Sequence, residues 1–201
     1  MLALSLLGCS ALFVPATSDP KEKLDQADQL LSVYRPIPAR RLIDEAIEIY
    51  KQQGDTEMLC YAYLVSTDYY RYKGSDAYHN YKPEPTFFVE PVPPSSVFGV
   101  RTENVRTAHK LAEDTCNKVI ADAIPASDHF KAVMAYGVLF QLYFRNYQKR
   151  EACDALDGQL KQYNLGDTAK LDQQVPFNRS KFKSIAEVIE YDKKNLKCSE
   201  L

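Results

Sequence analysis

The sequence predicts an all-α protein built as antiparallel helical hairpins, about seven helices in all. Three observations carry this expectation. Glycine is scarce, 7 in 201 residues. Most of the chain shows apolar residues recurring at three- and four-residue spacing, the period of a helix face. Apart from one long insertion, the interruptions are short and carry helix-capping chemistry. With 45% hydrophobic and 26% charged residues the chain reads as one globular domain, over 19–201. The net charge of -2 supplies no basic field for nucleic acid.

The first helix opens at Asp19-Pro20-Lys21-Glu22, with Asp as N-cap, Pro at N1 and Glu placed to close a capping box. Leu24, Ala27, Leu31 and Tyr34 then share a face, and Pro36-Ile37-Pro38 breaks the helix. A second helix is expected from about Ala39 to Gln53, with Leu42, Ile43, Ala46, Ile49 and Tyr50 as its stripe. Gly54-Asp55 ends it and caps a third helix, about Thr56 to Lys73. Leu59, Tyr63, Ser66 and Tyr70 lie on one side of that helix, and Tyr61, Val65 and Tyr72 on another.

A fourth helix runs from Thr102 to about Ala123, and a break at 124–127 offers Ser127 as N-cap for the fifth, Asp128 to about Tyr147. The fifth is apolar nearly all round, so it is expected at the centre of the core. A sixth covers about Lys149 to Tyr163, and a polar connection passes through Gly166. The last begins at Ser180 or Ser184 and ends near Lys197, with Ser184 and Glu187 reading as a capping box.

Residues 74–99 fit no helix. They hold Pro83, Pro85, Pro91, Pro93 and Pro94 beside Tyr78, Tyr81, Phe87 and Phe88. A loop of this length within a compact domain is unusual and often functional. Its aromatics supply contact area that a Ser/Glu/Lys spacer would lack.

Paired helices with short breaks invite a repeat reading. The pattern Tyr136-x2-Leu139-x3-Tyr143-x8-Ala152-x3-Leu156 resembles a tetratricopeptide repeat, although Phe140 stands where that family prefers Gly or Ala. Leu24 to Tyr50 is similar in layout, with Ala46 and Tyr50 in the second-helix positions. Thr56 to Ala123 forms a third hairpin, interrupted by the insertion. The resemblance implies a right-handed array whose concave groove takes peptides or helices, a scaffold for protein partners.

The chain starts with an apolar, uncharged segment, Leu2 to Val14, too short to span a bilayer. Within it Leu6-Leu7-Gly8-Cys9-Ser10 resembles the lipobox of bacterial lipoproteins. That likeness implies a signal peptide at 1–8, acylation of Cys9 and a lipidated tether over 9–18. Ser10 after the cysteine points to the outer membrane, facing the periplasm. Only eight residues precede Cys9 and none is basic, so the signal is expected to be misplaced or trimmed at its start. Ordinary secretion with cleavage after Val14-Pro15-Ala16 is the alternative.

Cys60, Cys116, Cys153 and Cys198 remain, an even set fitting an exported protein. The alternative is four buried thiols. Of the three pairings open to them, antiparallel helices favour Cys60–Cys116 and Cys153–Cys198, which stand at matching heights. The first would staple the hairpin across the insertion.

No HExxH, P-loop, GxSxG or GxGxxG pattern is present. His79, His109 and His129 lack metal-ligand spacing. Glu45 with Glu48, and Asp154 with Asp157, read as solvated helix faces. The expectation is therefore no enzyme, catalytic residue, metal, cofactor or small-molecule substrate. The tyrosine run, with the insertion, supplies a candidate partner surface: Tyr61, Tyr69, Tyr72, Tyr78, Tyr81, Phe87 and Phe88. The expected function is a non-enzymatic protein-interaction module or scaffold, tethered by lipid in an envelope-associated complex. An immunity lipoprotein that neutralises a toxin delivered to the periplasm fits the same features.

Overall fold

A computed structural model describes residues 17–33, 35–74 and 103–200, the side chains of 72–74, 103 and 104 excepted. Those residues form α1 (Pro20–Ser32), α2 (Pro36–Gln53), α3 (Thr56–Gly74), α4 (Glu103–Ala123), α5 (His129–Arg145), α6 (Lys149–Leu165), α7 (Thr168–Gln174) and α8 (Ile185–Leu196). A 3-10 turn, Cys198–Glu200, follows. The all-α hairpin array is thus observed, with one helix more than about seven. The lipobox with Cys9, the apolar partner Tyr34, and the insertion with Tyr78, Tyr81, Phe87, Phe88 and His79 lie outside the described residues.

Local chemistry sets the helix ends. The Asp19 carboxylate accepts from the Lys21 amide at 2.8 Å, while Glu22 accepts from Thr17 Oγ1 rather than from the cap amide. Gly54, at φ 67°, ends α2 in the left-handed conformation that favours glycine. Asp55 then caps α3 by accepting from Met58 N at 3.0 Å.

Two helix starts and one connection differ from the sequence reading, and a third start settles between two expected positions. The Pro36-Ile37-Pro38 break starts α2 instead of preceding it, because a proline in the first helical turn gives up an N–H that has no partner there. Asp128, and not Ser127, caps α5: its carboxylate accepts from Lys131 N at 3.2 Å, and Ser127 has φ 55°. The polar connection contains α7, capped by Asp167 through Lys170 N and seated by Leu171 alone, too few apolar positions to show a period. The last helix takes the later start; Ser184 Oγ accepts from Glu187 N, and Glu187 reaches back to Lys183 N at 2.7 Å.

The core is three clusters in series. The first joins α1, α2 and α3 around Leu24, Leu31, Leu42, Ile43 and Tyr50. In α2, Ile47 is buried where the stripe placed Ile49. The second joins α3, α4, α5 and α6 around Leu64, Leu139 and Leu142. The third joins α5, α6, α7 and α8 around Val133, Leu156 and Ile189. Helix α5 serves two clusters, as its all-round apolarity predicts. Such nearest-neighbour packing characterises helical arrays.

The hairpins pack in sequence, and α1 also touches α3, as α3 does α5. These three first helices therefore form one layer. Close approach within α5–α6 uses small residues: Ala152 and Ala155 are buried, and a Cβ on Gly158 would overlap the Tyr136 ring. Cys60 and Cys116 join α3 to α4, with Cα atoms 4.9 Å apart. Cys153 and Cys198 tie α6 to the C-terminal turn at 5.7 Å. Among the described residues no helix is long and apolar enough to cross a membrane.

Candidate partner-binding face

The layer of α1, α3 and α5 brings together polar groups far apart in the chain. On α3 the positions 61, 65 and 68 fall on one side, since seven residues make nearly two turns. Tyr61 packs its ring against both the first and second core clusters. Asp68, one acid inside the aromatic run, forms an ion pair with Arg145 of α5. Arg145 also donates to Gln141 Oε1 at 3.1 Å. From α1, Asp25 and Asp28 approach the same place, Asp25 accepting from Lys21 at 3.0 Å.

The electrostatics record this convergence. Burial raises the Asp28 carboxyl above its ordinary value; Asp68 and Asp25 push it the same way, and Arg145 opposes them. Asp28 is nonetheless exposed to water. Burial likewise raises the Tyr61 phenol, followed by the fields of Asp28 and Asp25, again opposed by Arg145. Acids therefore outnumber Arg145 around a half-buried tyrosine.

The predicted tyrosines divide. Tyr61 belongs to this face. Tyr69 is a correction: only 7% exposed, it stands edge-on to Tyr70 in the first core cluster, and the Arg40 guanidinium lies 5.3 Å from its ring centre. The reason is that α1, α2, α4 and α5 all touch α3, so more than one side of that helix is interior. The side chain of Tyr72 lies outside the described residues. Compared with known proteins, the chain matches no family model, no curated protein and no solved structure.

Other polar features have structural partners. His109 bonds Gln148 at 2.9 Å and His129 bonds Gln162 at 3.1 Å. Glu45 receives Lys23 of α1, and Asp157 receives Lys193 of α8. Asn178 Oδ1 accepts from its neighbour Ser180. An open depression of about 480 Å³ lies at the α2–α3 and α4–α5 turns, lined by Asp55, Glu57, Asp122, Asp128 and Lys131 among others. Burial, then Asp55, raises the Glu57 carboxyl there. Among the described residues no group of three or more His, Cys, Asp or Glu is placed to hold a metal.

Sequence reasoning did not single out Asp25, Asp28, Asp68 or Arg145. Asp25 and Asp28 look like any solvated helix face. Asp68 did carry a signal, an acid within the aromatic stretch from Tyr61 to Tyr72.

Proposed function

We propose that this protein is an exported, lipid-anchored interaction module of the bacterial envelope, without catalytic chemistry of its own. Acylation at Cys9 holds it at the outer membrane, and the face of α1, α3 and α5 receives a protein partner. The observation that carries the reading is the convergence of Asp28, Tyr61, Asp68 and Arg145 from three helices onto one face. Tyr61 offers a broad ring with a polar tip, the profile enriched at interfaces. The surplus of acid favours a partner segment bearing Lys or Arg, which would offset the repulsion from Asp68 and Asp25 that adds to burial in raising the Asp28 carboxyl. The resemblance to tetratricopeptide repeats, whose grooves take peptides or helices, supports the same role.

Photo-crosslinking in producing cells tests this. A crosslinker at position 61 should give a discrete protein adduct that Asp28→Lys diminishes at least about tenfold, or 1.4 kcal/mol. The same probe at Glu48, an exposed position on α2, should give none. Equal adducts at both positions, or indifference to Asp28→Lys, sinks the reading. One partner held at nanomolar strength marks an immunity role, whereas several weaker partners mark a scaffold.

A further inference from the structure

The two cysteine pairs sit in different surroundings. Cys60 and Cys116 are 1% and 0% exposed, inside the second core cluster. Cys153 is 5% exposed, but its partner Cys198 is only half-buried, in the C-terminal turn. Backbone hydrogen bonds of that turn are local, Lys197 N to Lys194 O and Glu200 N to Lys197 O. Lys197, which delivers Cys198, has φ 53°, a left-handed conformation unfavourable without glycine. The body of α8 is held independently, by Ile185 and Ile189 in the third cluster and by Ile185 N donating to Asp172 at 2.9 Å.

We propose that Cys198 is a thiol–disulfide exchange site, open to dithiols while the protein stays folded, and that Cys60–Cys116 is closed to them. A dithiol thiolate attacks Cys198 Sγ, the bond to Cys153 breaks, and Cys153 leaves as a thiolate that takes a proton from water. The second thiol of the reagent then displaces Cys198 and closes the reagent's own disulfide. Two electrons pass from dithiol to protein, as the exchange requires. The cost of access is a local opening of the turn, whereas Cys60–Cys116 needs its core cluster opened. Exchange frees the C-terminal turn and the last turn of α8, where Leu196 packs against the second and third clusters.

The test treats oxidised, folded full-length protein with dithiothreitol, quenches with an alkylating agent and maps peptides over time. Cys153 and Cys198 should become modified at least about tenfold sooner than Cys60 and Cys116, with helicity by circular dichroism nearly unchanged at that point. Loss of both bonds at one rate, or of Cys60–Cys116 first, overturns the proposal. So does collapse of helicity with the first reduction, because exchange would then follow unfolding. A Cys153→Ser/Cys198→Ser variant that still folds, and whose remaining bond resists the reagent as in the parent, separates the two sites.

Discussion

Asp192 is a carboxylate in the wrong medium. It is buried on α8, and burial raises its pKa from 3.8 to about 6, with Lys181 opposing. Because the folded value exceeds the unfolded one, the folded state binds the proton more tightly. The resulting stabilisation is fully present below about pH 4 and is lost as pH rises to about 6, an effect of roughly 2–3 kcal/mol. Asp192→Asn keeps the shape and removes the charge. Urea denaturation should find it about 1–2 kcal/mol more stable than the parent at pH 7 and nearly equal at pH 4. A variant no more stable at pH 7 contradicts this account. Residues of the candidate face follow the same physics, since Asp28 is raised by burial and by Asp68.

Between elements, the strongest tie is the Cys60–Cys116 pair. It closes a sequence separation of 56 residues. In the chain-entropy model such a loop closure contributes about 4 kcal/mol, by restricting the unfolded chain. Cys60→Ala/Cys116→Ala should lower the unfolding free energy by about that amount in denaturant titrations. A loss below about 1 kcal/mol would mean that the reduced chain is already held together at the α3–α4 hairpin. The bond lies among Leu64, Ala112 and Val119, so its removal also leaves a cavity.

Across the whole molecule, the three core clusters are linked through shared helices, and the insertion leaves α3 at Gly74 and returns at α4 from Glu103. Replacing Tyr81 to Pro94 by a short Gly/Ser linker should leave helicity and melting temperature nearly intact, because Cys60–Cys116 still closes that hairpin. Partner binding should fall at least about tenfold, since the aromatics and prolines of that stretch offer area at low entropic cost. Calorimetry on the parent and the replacement checks both halves. Unchanged binding leaves recognition to the α1, α3 and α5 face alone, and unfolding moves Phe87 and Phe88 into the core.

The helices, most of their apolar faces and the cysteine pairing were legible in the sequence, because each is local or follows from local periods. Asp19, Asp55 and Ser184 act as caps within a few residues of themselves, and Cys60 and Cys116 stand at equal heights once two helices run antiparallel. Helix α7 escaped because seven residues with Leu171 as the one buried position carry no period. Tyr69 was misplaced for a deeper reason. A helix period says which residues share a side, but not how many sides neighbours cover, and α3 is covered on several. The meeting of Asp28, Tyr61, Asp68 and Arg145 belongs to tertiary structure alone. Their separation in the chain leaves no spacing to read, and only the packing of α1 on α3 and α3 on α5 brings these four residues into one acid-rich face.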